Sequence, residues 1–204
     1  MKRTKEDAEK TRQTLLDAAL AVFSSKGYQA ARLQDIATAA GTTRGAIYHH
    51  FSNKAELYKA LIRDASQQGN VAIQTAVSAG GSFTDIFQRI FTTTLQLLAT
   101  DERFRQVTAL SLYKTGISPE LADLEAQRLQ QADTLVAGIA ATMQQGIANG
   151  EFRADISPET MARAFLSFQN GVAWLWLAGG QNFSLTDEAS ALSEILLHGM
   201  AAKV

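Results

Sequence analysis

Residues 32–51 read RLQDIATAAGTTRGAIYHHF, and the rest of the chain is most easily understood outward from them. Leu33, Ile36, Ala37 and Ala40 recur at helical spacing and stop at Gly41. Gly41-Thr42-Thr43 then has the composition of a tight turn, with a glycine where positive φ is needed and a threonine placed to cap the next helix. Two short helices joined in this way form a helix-turn-helix. Advancing about 100° per residue from Arg44 puts Arg44, Tyr48, Gly45 and His49 at about 0°, 40°, 100° and 140°. Ala46, His50, Ile47 and Phe51 fall at about 200°, 240°, 300° and 340°. Ile47 and Phe51 can therefore dock on Leu33, Ile36 and Ala40, while Arg44, Gly45, Tyr48 and His49 face outward.

Helical signals continue on both sides. Leu15, Ala18, Ala19, Val22 and Phe23 form a stripe that Gly27 closes, and Lys54 to about Ala79 gives a longer helix closed by Gly80-Gly81. Ser82-Phe-Thr-Asp85 resembles a capping box, and a shorter helix follows Asp101 toward Thr115-Gly116. Ser118-Pro119-Glu120 and Ser157-Pro158-Glu159 each supply a cap, a first-turn proline and a first-turn acid. Their helices reach about Asn149-Gly150 and Ala178, and Ser184-Leu-Thr-Asp187 opens a last one. With two prolines and no period-two alternation, the expectation is an all-α chain of nine helices. A first domain over residues 10–60, holding the helix-turn-helix, and a second over 61–204 are expected.

The 204 residues carry a formal net charge of −1, but the average conceals a division. Residues 1–65 hold 11 Lys/Arg against 7 Asp/Glu, a balance of +4, and residues 66–204 hold 8 against 13, a balance of −5. An anionic partner is thus expected at the N-terminal part only. The absence of cysteine excludes thiolate metal sites, a cysteine nucleophile and disulfides, and fits a reducing cytoplasm. No signal peptide is visible. Residues 164–186, AFLSFQNGVAWLWLAGGQNFSLT, lack charge, but their strongly apolar part is too short to span a bilayer. The expectation there is a helix buried among helices, with no membrane partner. No G-x-S-x-G, H-E-x-x-H or phosphate-binding glycine loop occurs, so nothing supports an enzyme, and no cofactor is expected.

The outward face of the second short helix offers a cation, a gap, a phenol and an imidazole. These suit a duplex groove: Arg44 for a guanine edge or phosphate, Tyr48 and His49 for phosphate oxygens, and Gly45 for close backbone approach. Leu15–Leu61 resembles the DNA-binding region of the TetR/AcrR family of bacterial transcriptional repressors. The resemblance rests on Ala18-Ala19 with Phe23, Gly27-Tyr28, Asp35-Ile36-Ala37, Ala40-Gly41, Ile47 to Phe51, Asn53-Lys54 and Leu57. Arg44-Gly45-Ala46-Ile47-Tyr48 is especially similar to the multidrug-efflux-repressor branch. The resemblance implies a nine-helix TetR-like architecture and double-stranded operator contacts at Arg32, Gln34, Thr43, Arg44, Gly45, Tyr48, His49, His50 and Lys54. Lys54 would also stand at a helix N-terminus, where N–H groups and the macrodipole favour phosphate. The chain departs from the family at Ala31-Arg32, where members commonly place a hydroxyl cap; its loss costs about 1 kcal/mol.

His49 and His50 point about 100° apart, unlike an i, i+4 chelating pair, so no metal site is expected. His50 tends toward the inner face, where packing and phosphate contact are both open. The later aromatics, interleaved with polar groups, are more numerous than a bundle needs and could surround a small hydrophobic or aromatic effector. Phe91, Phe104, Tyr113, Phe168, Gln169 and Trp174 are the candidates. A homodimer through the two C-terminal helices, Ser157–Gly179 and Thr186–Met200, would present two recognition helices to a palindrome. Ala164, Phe168, Val172, Leu175, Leu192, Ile195 and Leu196 are its candidate members. The expected function is a cytoplasmic, ligand-responsive repressor, with an efflux gene as its candidate target; a helical protein-interaction module or an uncharacterised enzyme without DNA binding is the alternative.

Overall fold

The computed structural model describes residues 5–114 and 119–202, apart from the side chains of residues 65, 68, 113 and 114. Among these residues there are nine α-helices: α1 (Lys5–Ala30), α2 (Leu33–Ala39), α3 (Arg44–Tyr48), α4 (Lys54–Ser78), α5 (Phe83–Thr100), α6 (Glu102–Ala109), α7 (Ala122–Ala148), α8 (Pro158–Ala178) and α9 (Leu185–Met200). The fold is all-α, as the sequence predicts. None of the described helices is long and apolar enough to cross a membrane.

The serine caps form as their spacing predicts. Ser82, Ser157 and Ser184 each accept a hydrogen bond from the backbone N–H three residues on, and Asp85 completes the box by accepting from Ser82 N–H. Two boundaries differ. α1 bends at Gly27 (φ 75°, ψ 163°) and then adds one more turn to Ala30. α6 stops at Ala109 and passes into a wider π-type turn over Leu110–Lys114. Thr115-Gly116, expected to end that helix, and the expected cap Ser118 lie outside the described residues. After them, Pro119–Leu121 form a 3₁₀ turn that leads into α7.

The chain divides into two compact units. The first comprises residues 1–67 and 103–124, the second 68–102 and 125–204. The stretch 103–124, which the sequence reading gives to the second domain, thus lies in the same unit as the helix-turn-helix. In the first unit, Leu15, Leu16, Ala19, Phe23, Ile36, Ile47, Leu57 and Leu61 form a core joined by Val107, Leu110, Leu121 and Leu124. Phe23, Tyr28 and Tyr58 meet as an aromatic trio with centroids 5.0–5.8 Å apart. The Arg103 guanidinium bonds Asp17 of α1 and, at 2.9 Å, Asp64 of α4, so three helices share one cation. Tyr28 is fully buried, and its hydroxyl donates to the Glu120 carboxylate at 2.8 Å. Burial first, then that acceptor, pushes the phenol well above its usual range, so it remains a donor.

In the second unit, α5 lies against α9 and α8. Rings form a ladder through this core: Phe152 to Phe87, Phe87 to Phe165, Phe165 to Phe91 and Phe91 to Phe168, with centroids 5.2–6.0 Å apart. Phe152 enters beside Gly146 of α7, where an added Cβ would stand 2.4 Å from its ring. The α7–α8 connection also ties down the end of α9. Arg153 N–H donates to the Met200 carbonyl and Ala202 N–H to the Glu151 carbonyl, both at 3.0 Å.

Candidate nucleic-acid interface

The turn between α2 and α3 follows from Gly41, which has φ 62°, a conformation costly for residues with a Cβ. Thr43 then caps α3, its Oγ1 accepting from Ala46 N–H at 3.2 Å. At five residues α3 is too short to persist alone, so its shape depends on what it is anchored to. Ile47 has no exposed surface and Phe51 only 5%. Both belong to the core of the first unit, against which Leu33 and Ala40 also pack. The opposite face is open: Thr43, Arg44, Gly45, Tyr48 and His49 are all exposed. The helical wheel and the structure agree on this division.

The exposed face is partly organised before any ligand arrives. Arg44 Nη2 donates to the Tyr48 hydroxyl at 3.0 Å, and the guanidinium carbon lies 5.8 Å from the Tyr48 ring centroid. A Cβ at Gly45 would meet only Thr43 Oγ1, at an ordinary 3.6 Å. Internal packing therefore does not require this glycine, although it is less favourable than alanine inside a helix. Arg32 and Gln34, at the start of α2, are also exposed, whereas His50 is half-buried with its ring tilted against Phe51 at 6.3 Å.

The missing hydroxyl cap of α2 is compensated from the other side. The Asp35 carboxylate accepts from Arg32 N–H at 3.1 Å and pairs with the Lys26 ammonium at 3.0 Å. The Lys26 contact first, then the backbone N–H, hold the Asp35 carboxyl below its ordinary 3.8. Such a group stabilises the fold above its unfolded value, and the gain is lost as pH falls through the lower, folded value. Asp35→Asn should thus melt earlier than wild type at neutral pH, and the gap should close as the pH drops below 3.8. Thermal melts across that window check this; a gap that persists unchanged in acid would separate Asp35's contribution from its charge.

Lys54 is placed differently from the expectation. Its ammonium donates to the carbonyls of Tyr28, Gln29 and Ala31 at 3.0, 3.4 and 3.2 Å and sits 4.4 Å from the Tyr28 ring centroid. Those three acceptors match the three donors that an ammonium has, and they satisfy carbonyls at the C-terminal end of α1. The side chain fastens α4 to α1, leaving no donor for phosphate in this arrangement. The N-terminus of α4 is instead capped by Asn53, whose Oδ1 accepts from Glu56 N–H at 2.8 Å. Lys54→Met should accordingly cost about 1.5–3 kcal/mol in urea unfolding, the range for hydrogen bonds to a charged group. The slope of log K against log salt for DNA should stay the same; a slope flattened by about one unit would return the ammonium to a phosphate.

The effector candidates are divided between the two units. Phe91, Phe168 and Gln169 belong to the second unit, where the Phe91 and Phe168 rings stack at 5.9 Å and 28°. Phe104 belongs to the first unit, and the Tyr113 side chain lies outside the described residues. Trp174 is 49% exposed on α8.

This arrangement is that of a helix-turn-helix regulator that binds duplex DNA. Residues 15–61 match the family model described as bacterial regulatory proteins, tetR family. Across 201 residues the chain is 31% identical to the HTH-type transcriptional regulator AcrR of Shigella flexneri, covering 96% of this chain and 92% of the other. It is 29% identical over 203 residues to the HTH-type transcriptional repressor BepR of Brucella suis, covering 99% and 97%. The crystal structure of NalD, the secondary repressor of the MexAB-OprM multidrug efflux pump in Pseudomonas aeruginosa, superposes with a TM-score of 0.84. That pair is 24% identical and covers 98% of this chain and all of the other. The chain belongs to the TetR family, and its role is DNA-binding transcriptional repression, not catalysis.

Proposed function

We propose that the protein represses an efflux gene in the cytoplasm, binding a palindromic operator as a homodimer and leaving it when a small hydrophobic effector binds. The observation that carries this reading is the division of α3 into a buried anchor, Ile47 with Phe51, and an open face of Arg44, Gly45, Tyr48 and His49. Arg32, Gln34 and Thr43 extend that face, with His50 at its inner margin. The dimer reading is supported by Trp174, Leu175 and Ile195, large apolar side chains about half exposed or more on α8 and α9. Ala164 is exposed as well, and Phe168, Leu192 and Leu196 are half-buried, whereas Val172 turns inward. The efflux reading is supported by the Arg44–Tyr48 sequence and by the likeness to NalD, a repressor of a multidrug efflux pump.

Selection from a random duplex pool tests the proposal. The recovered sequences should contain an inverted repeat with half-sites about one helical turn or a multiple apart, bound with a steep salt dependence. Recovery of an unrepeated site, or binding indifferent to salt, would contradict it. Gly45→Ala should bind the recovered site much more weakly while unfolding at equal or higher urea, because the new methyl group meets DNA and, inside the protein, only Thr43 Oγ1 at an ordinary 3.6 Å.

A further inference from the structure

We infer that Gln169 is the polar anchor of an effector site in the second unit. The ligand it selects is neutral and carries a carbonyl-type oxygen on a planar apolar body. This rests on the effector-release reading above and narrows it to a chemistry.

Gln169 is 8% exposed, and its Nε2 has no hydrogen-bond partner. It sits in the middle of the inward stripe of α8, with Phe165 one turn before it and Val172 and Ala173 one turn after, all buried. Among the described buried residues, the other polar side chain is Ser193, and its hydroxyl donates to the Ser190 carbonyl at 2.7 Å. A buried amide N–H₂ without an acceptor is costly to keep, and leucine or methionine would fit that stripe without the penalty. An acceptor supplied from outside the chain removes the penalty only in the liganded state, which turns a folding cost into binding selectivity.

The surroundings specify the rest of the ligand. No charged residue occurs from Ala164 to Thr186, and none is found among the described buried residues of this unit. A carboxylate would therefore be desolvated with no cation to meet it, and an ammonium would offer Nε2 no acceptor. A neutral carbonyl satisfies the amide and brings no charge. Phe165, one turn before Gln169 on the same buried stripe, meets Phe87 and Phe91 edge-on with centroids 5.2 and 6.0 Å apart. An aromatic neighbourhood suits a planar body. Because Nε2 is closed off in this state, a ligand that reaches it must favour a rearranged state, and such differential binding is what a switch requires.

The test compares acetylnaphthalene, ethylnaphthalene and naphthoate, titrated calorimetrically into the full-length protein, wild type and Gln169→Met. Wild type should bind the acetyl compound roughly tenfold more tightly than the ethyl one, the scale of one net hydrogen bond, and naphthoate more weakly than the acetyl compound. In Gln169→Met the preference for the carbonyl should vanish, and the free protein should melt at a higher temperature than wild type. Gln169→Leu should repeat both results, so that the outcome does not depend on how methionine fits. The inference is overturned if none of the compounds binds, if wild type shows no carbonyl preference, if the variants keep that preference, or if both variants melt lower. Palindrome recovery in the absence of any compound tests the repressor reading separately, so the two can fail independently.

Discussion

Ile195→Glu should convert the protein to a monomer at micromolar concentration and abolish tight binding to a palindromic operator. Ile195 is 66% exposed on α9, and Leu175 on α8 is 57% exposed. An interface with two-fold symmetry places each residue in it twice, so one substitution introduces two carboxylates. Removing an ion from water without a partner costs several kcal/mol, and two such costs exceed what hydrophobic contact at a single residue can return. The single recognition helix left on each monomer reads too few base pairs, and the loss on DNA should be correspondingly steep. Sedimentation of wild type and variant, paired with operator titration, gives the answer. A variant that stays dimeric would move the interface away from this face. Leu175→Glu is the companion test on the other helix and should give the same outcome.

Arg44→Ala should weaken operator binding by about 1–3 kcal/mol and relax the preference at one base pair in each half-site. Arg44 stands on the first turn of α3, where recognition helices meet base edges. Its guanidinium is already oriented by the Tyr48 hydroxyl at 3.0 Å, which lowers the entropy that a bidentate contact must overcome. Tyr48→Phe should therefore reproduce part of the Arg44 effect without touching the same base. Titrations against the full set of single-base variants would resolve the two. If Arg44→Ala weakens every sequence equally, the guanidinium binds phosphate, and specificity resides elsewhere on the face.

What could be read from the sequence follows the range over which each interaction acts. The register of α3, the turn at Gly41 and the serine caps are settled by residues within four positions of one another, and all of them form. Asp35 could have been recognised by the same rule, since it reaches back three residues to Arg32 N–H. Lys54 could not: its carbonyl partners lie 23 to 26 positions away, and only the folded chain brings α1's end to it. Arg103 is similar, because its carboxylates come from two other helices. Residue type alone cannot say that Trp174 is exposed while Gln169 is buried on the same helix.

The short α3 keeps two kinds of requirement on separate residues. Ile47 and Phe51 answer only to the interior, whereas Arg44, Gly45, Tyr48 and His49 answer only to what lies outside. Substitutions in the second set leave the folded state almost untouched, so a lineage could change its target site one residue at a time without passing through misfolded intermediates. Operator preference and thermal robustness are then independently heritable traits in this protein, and a library randomised at the four outer positions should consist largely of well-folded regulators with altered targets.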